Sequence, residues 1–208
     1  VADSKISGLA DGTPPMPTDL FLVARASDNK SIAGAATVAI HDREAATTDV
    51  ANTTTETTIF THSVPANELG SDRALECILF GDYLNNNATG TSLTWRIKFG
   101  GTTIYQDAVS ASAISATRRP WWLQFVLAAN NATNAQTLGG LFYLGTAGGA
   151  TTGLGDIDTD EIESAAPIAN SGIAIDSTAA RTLEVTVAWS AASANASLRR
   201  FWGGLRRI

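Results

Sequence analysis

One cysteine, one methionine and two histidines stand in 208 residues. The lone Cys77 cannot form an intrachain disulfide, which excludes a disulfide-stapled secreted scaffold. It shares its side of an alternating stretch with Leu75 and Leu79, a pattern that predicts a small buried hydrophobe rather than a nucleophile. His41 and His62 have no local Ser, Cys or Asp in an arrangement that would activate a nucleophile, so both are expected to be structural or exposed. Charge is scarce too: Asp, Glu, Lys and Arg make up 16% of the chain, against about a quarter in typical soluble domains. A chain that hides much of its surface in an assembly tolerates so few charges. The net charge of −6 offers no basic face for phosphate, and no nucleic-acid partner is expected. No apolar run approaches the ~18 residues of a membrane helix, and no membrane partner is expected either.

Small and β-compatible residues fill the space that charge leaves. Pro14, Pro15 and Pro17 forbid helix near the start, and Thr18-Asp19-Leu20-Phe21-Leu22-Val23 then reads as an abrupt apolar strand. Ser27-Asp28-Asn29 is a turn signal, and Lys30 to Ile40 can return as the second strand of a hairpin. Residues 1–42 are therefore read as an attachment segment with a β-hairpin, and the Thr-rich 43–57 as a linker. Residues 58–208 are read as one all-β domain. Its expected strands are 58–64, 73–84, 91–99, 102–109, 119–129, 136–144, 172–176, 181–190 and 197–207. Two of them alternate clearly, with apolar Leu93, Trp95, Ile97 and Phe99 in one and Leu183, Val185, Val187 and Trp189 in the other. Asn85-Asn86-Asn87, Gly100-Gly101, Asn130-Asn131 and Gly139-Gly140 are read as breaks between strands. This is the signature of an antiparallel β-sandwich of the jelly-roll type. The Asn-x-Ser/Thr tripeptides at Asn52, Asn87, Asn131 and Asn195 are read as turn asparagines.

Chemistry-bearing motifs are weak. Asp156, Asp158 and Asp160 have the 1, 3, 5 spacing of a calcium loop, but Glu161 and Pro167 stand where such a loop needs Gly and a bidentate Glu. A loose cation site there is weighed against a solvated loop, or a partner for the arginines of a neighbouring subunit. The Gly-rich stretch from Gly145 to Gly155 lacks the Gly-Lys-Ser/Thr ending that cradles a nucleotide. No catalytic residue, metal or cofactor is expected. Trp121 and Trp122 are adjacent in a strand and must point to opposite faces. One belongs in the core, and the other at an outer surface where it anchors a partner subunit or stacks on a sugar. Both, together with Trp202 and the arginines Arg199, Arg200, Arg206 and Arg207, are the candidates for a subunit interface.

Two regions carry a family resemblance. Lys5-Ile6-Ser7-Gly8-Leu9 with Asp19-Leu20-Phe21-Leu22-Val23 resembles the N-terminal segments of tailed-bacteriophage structural proteins. The blocks Phe60 to Asn67, Leu79 to Asn86 and Ile175 to Ser193 are similar to phage virion β-sandwiches, which resemble tumour-necrosis-factor-type jelly rolls and often form trimers. The resemblance implies a non-enzymatic virion protein of the capsid-decoration, head-fibre or tail type. It implies docking on other virion proteins through Lys5, Ile6, Leu9, Leu20, Phe21 and Val23, an outward homotrimer, and as an alternative a module binding a host-surface glycan.

Overall fold

A computed structural model of the chain describes residues 40–87, 91–109, 114–145 and 162–208. The six docking candidates of the attachment segment and Asp156, Asp158 and Asp160 lie outside the described residues, as does most of the expected hairpin. Every described residue belongs to the second of the two units into which the chain divides, Val38–Ile208.

The described residues are all β, as expected. Eleven strands run in chain order: β1 (Ile40–Glu44), β2 (Thr48–Ala51), β3 (Thr57–Val64), β4 (Ala74–Asn85), β5 (Leu93–Phe99), β6 (Thr102–Val109), β7 (Ser115–Ala132), β8 (Ala135–Gly145), β9 (Ile162–Ile173), β10 (Arg181–Trp189) and β11 (Ala196–Arg207). One sheet has the order β1-β11-β4-β7-β8-β9, with β2 also on β11; the other is β3-β10-β5-β6. Every pairing is antiparallel. The pairs β5·β6, β4·β7, β3·β10 and β2·β11 are nested, as in one long hairpin wound around a core. With β8 and β9 set aside as an inserted hairpin that widens the first sheet, this is the two-Greek-key connectivity of a jelly roll.

Alternation produces the core. In β5 the odd positions Leu93, Trp95, Ile97 and Phe99 are buried, and in β10 Leu183, Val185, Val187 and Trp189 are. Leu75, Cys77 and Leu79 bury the same side of β4, as the sequence predicts. Trp95 crosses between the sheets, with ring centroids 5.0 Å from Trp121 and 4.4 Å from Phe142. Gly100 and Gly101 both have positive φ, +57° and +80°, and make the tight turn between β5 and β6. Asn52 sits at positive φ just after β2, consistent with a turn asparagine, whereas Asn131, also at positive φ, lies inside β7 at an irregularity of its register with β8 rather than between strands.

Three further expectations are corrected. The stretch 43–57 carries the end of β1 and all of β2, and both pair with β11. Its strand character is hard to read because β2 buries only Val50. Gly139 and Gly140 lie inside β8 rather than between strands. A Cβ on Gly140 would come within 2.3 Å of the Gln124 carbonyl oxygen, so this glycine answers a close approach of strands, not a turn. Finally, β9 occupies Ile162–Ile173, where only its tail was expected; Ser, Ala, Pro and Asn along an edge strand give no apolar alternation.

Packing yields two tests. A Cβ on Gly81 would lie 1.8 Å from the Arg199 carbonyl oxygen, whereas nothing lies within 4 Å of one on Gly139. Gly81→Ala is expected to destabilise by about 3 kcal/mol and Gly139→Ala to change stability by less than about 0.5 kcal/mol, measured by urea unfolding. The Cys77 thiol is fully buried and burial pushes its pKa well above the ordinary 9.0. It should resist maleimide labelling in the native protein and react readily once the chain is unfolded in urea.

Candidate functional site

The site lies on the outer face of the seven-stranded sheet, and strand register builds it. Residues paired across antiparallel strands share a face. Trp202 of β11 pairs with Phe80 of β4, Phe80 with Trp122 of β7, and Trp122 with Tyr143 of β8. Four aromatics thus form one row across four strands. Phe80 stacks on Trp122 with centroids 5.7 Å apart and planes 7° from parallel, and on Trp202 at 5.7 Å and 19°. Such pairs contribute ~0.5–1.5 kcal/mol each beyond area burial. The row nevertheless stays open to solvent: Phe80 is 36% exposed and Trp122 40%. Leu141, 47% exposed, stands beside it.

One step along the strands, Arg43, Gly204, Ile78 and Gln124 form the next row by the same pairing. Gly204 leaves a dent there, and the Trp202 indole leans over it: a Cβ on Gly204 would lie 2.4 Å from Trp202 Cη2. The resulting cavity of about 280 Å³ has Ile78 and Gly204 in its lining and Trp202, Arg43, Glu76 and Arg206 around them.

Fixed charges bound the aromatic row on both sides. On one side Asp82 accepts from Arg118 Nε at 2.7 Å and from Arg199 Nε at 2.8 Å, with a further contact from Arg199 Nη2. Burial pushes the Asp82 carboxyl up, but the two guanidiniums outweigh it and hold the group below the ordinary 3.8. On the other side Glu76 accepts from Gln124 Nε2 at 2.7 Å and pairs with Arg206. There too burial raises the pKa, and the hydrogen bonds from Arg206 and Gln124 bring it below 4.5. Both carboxylates are ionised acceptors held in place.

The candidate interface residues divide. Trp122 and Trp202 belong to the outer row. Trp121 is the core tryptophan, 1% exposed, with Nε1 donating to the carbonyl oxygens of Arg199 at 3.0 Å and Asp82 at 3.3 Å. Arg200, 2% exposed, points inward and binds Glu44 Oε2 at 2.7 Å, the Glu44 and Ala46 carbonyls at 2.8 and 3.1 Å and Thr48 Oγ1 at 3.0 Å. It holds the β1–β2 connection onto β11 from within. Arg199 and Arg206 serve the outer face through Asp82 and Glu76, and Arg207 Nη1 pairs with Glu68 Oε1 at 3.1 Å. The arginines expected to meet a neighbouring subunit meet acids of their own chain. His62 is half-buried, with Nδ1 3.0 Å from Asp42 Oδ2.

Phe80, Tyr143, Arg43, Glu76 and Gly204 were not among the expected site residues. Phe80 alone left a trace in the sequence, as a large aromatic on the face opposite Leu79 and Cys77.

No family model matches the chain, and no curated protein does. Several solved structures align with it, two of them as follows. One is the EclA C-terminal domain, described as a sugar-binding protein: 8% identical over 94% of this chain and 87% of that one, with a TM-score of 0.32. The other is the CBM2 module of the evolved Dit of Lactobacillus casei BL23 phage J-1: 11% identical over 70% of this chain and 67% of that one, with a TM-score of 0.33. Likeness at this level does not assign a role to any residue here.

The Asp82 geometry predicts an acid-sensitive contribution to stability. Its folded pKa lies below the unfolded value of 3.8, so the unfolded chain takes up the proton first. The contribution is complete above the unfolded value and is lost as pH falls through the folded one. Asp82→Asn should cost ~1–3 kcal/mol in urea unfolding at pH 7, and the gap to wild type should shrink once pH drops below 3.8.

Proposed function

We propose that this chain is a non-enzymatic virion protein whose jelly-roll domain binds a surface glycan on the outer face of the seven-stranded sheet. The observation that carries the reading is the row of exposed Phe80 and Trp122 with half-buried Trp202 beside the Gly204 dent, bounded by carboxylates and guanidiniums already fixed in place. A pyranose has an apolar face of C–H groups and a rim of hydroxyls. It therefore needs an exposed aromatic surface together with a few immobile hydrogen-bonding groups, the combination found in sites for small polar ligands.

Glu76 and Asp82 are not placed as a hydrolytic pair. A glycosidase needs two carboxyls ~5–9.5 Å apart, one with a raised pKa to serve as acid. Glu76 and Asp82 are six residues apart on one strand, roughly 20 Å, and both are lowered. The virion assignment rests on the sequence resemblance of the Lys5–Leu9 and Phe60–Asn67 segments, with residues 1–42 as the part that docks on the particle.

A second reading is self-association into a homotrimer through the same face. Exposed Leu141, with exposed Pro167 and Ala169 on the neighbouring β9, extends the row with hydrocarbon alone. Light scattering distinguishes the two: a trimer that Leu141→Asp converts to monomer supports the second reading, and a wild-type monomer removes it.

Glycan-array screening followed by calorimetry tests the first. Trp122→Ala and Trp202→Ala should each weaken binding roughly tenfold, about 1.4 kcal/mol, with the fold intact by near-ultraviolet circular dichroism. Ile114→Ala, exposed just before β7, should leave affinity unchanged. Absence of any glycan ligand, or binding indifferent to both tryptophans, would sink the reading.

A further inference from the structure

Three of the four charged residues around the Gly204 dent already have partners. Glu76 accepts from Arg206 and from Gln124, and Asp42, also in the lining, has its Oδ2 3.0 Å from His62 Nδ1. Arg43 differs. It is exposed, it borders the same cavity as Trp202, and among the described residues its guanidinium has no carboxylate or carbonyl partner. Register fixes its position: Arg43 pairs with Gly204, so its side chain leaves the sheet on the outer face, beside the glycine over which the Trp202 indole leans.

The dent therefore offers an apolar floor, an indole wall and one solvent-exposed guanidinium with five N–H donors, no acceptor and no carboxylate partner among the described residues. A neutral hydroxyl would use one or two of those donors and leave the charge uncompensated. A carboxylate matches the guanidinium fork in a bidentate, charge-assisted pair of ~2.7–2.9 Å hydrogen bonds. We propose that the saccharide bound on this face is acidic, and that Arg43 pairs with its carboxylate while the sugar ring lies against Trp202. This deepens the glycan reading of the same face and rests on it.

The test uses the full chain and a panel of galacturonate, mannuronate, glucuronate and sialyl oligosaccharides, each beside its methyl ester. Esterification removes the charge and keeps the ring. At least one acid should bind ten-fold or more tightly than its ester in low salt, with the preference shrinking in high salt. Arg43→Gln should abolish the preference while the remaining binding still responds to Trp202→Ala. Arg43→Lys, which keeps the charge and loses the fork, should fall between. Equal affinity for acid and ester, or a preference that survives Arg43→Gln, overturns the proposal and leaves the glycan reading standing. Neutral glycans bound on an array with no acidic sugar bound does the same. Preference for phosphorylated over carboxylated sugars also overturns it. Binding to no glycan of any kind removes both this proposal and the reading beneath it.

Discussion

A single bulge in β11 decides what this sheet shows to solvent. The register of β11 on β4 shifts between Arg200 and Trp202. Before the shift Ala196, Leu198 and Arg200 face inward; after it Leu205 does, and Trp202, Gly204 and Arg206 face out. Because side chains alternate with period two, one extra residue turns every later position to the other side. Without it Trp202 and Arg206 would enter the core, and the aromatic row and the Glu76 partner would be lost together. Gly81 makes the bulge possible, since the Arg199 carbonyl oxygen occupies the space of its missing Cβ.

This explains what could and could not be read from the residues. Leu93, Trp95, Ile97 and Phe99 declare their strand and its buried side by themselves. Trp121 and Trp122 declare that they part company, because adjacency in a strand is enough. Neither shows its neighbours. That Trp122 lies between Phe80 and Tyr143 depends on two strand registers, and that Trp202 completes the row depends on a bulge whose local sequence, Arg-Arg-Phe-Trp-Gly-Gly, has no alternation to break. The site is made of cross-strand pairs between residues up to 161 apart in the chain, as Arg43 and Gly204 are, and such pairing has no signature in local order.

The arginines show the same limit from the side of charge. Four guanidiniums near the end of an acidic, charge-poor chain look like groups waiting for a partner molecule. In the fold, Arg199 reaches Asp82 and Arg206 reaches Glu76 across one strand boundary, and Arg200 is drawn inside by Glu44 and the β1–β2 backbone. A buried guanidinium is tolerable only because carbonyl and carboxylate acceptors replace the water it loses. Three of the four C-terminal charges expected at a subunit interface are thus used in pairs within this sheet.

On the proposed reading, pairing also sharpens the face as a recognition surface. Acids and bases bound to each other cannot reorient around a ligand, so they set its position at little entropic cost, and they contribute no net field that would attract ions indiscriminately. On the proposed reading of this face, Arg43, which has no carboxylate partner among the described residues, carries the preference for an acidic ligand. Arg43 lies on β1, next to β11 and beyond the bulge, so the feature that turns Trp202 outward also brings Gly204 level with Arg43. Shape, stacking surface and charge on this face therefore trace back to one irregularity in one strand, and a shift in the β11 register would remove all three at once.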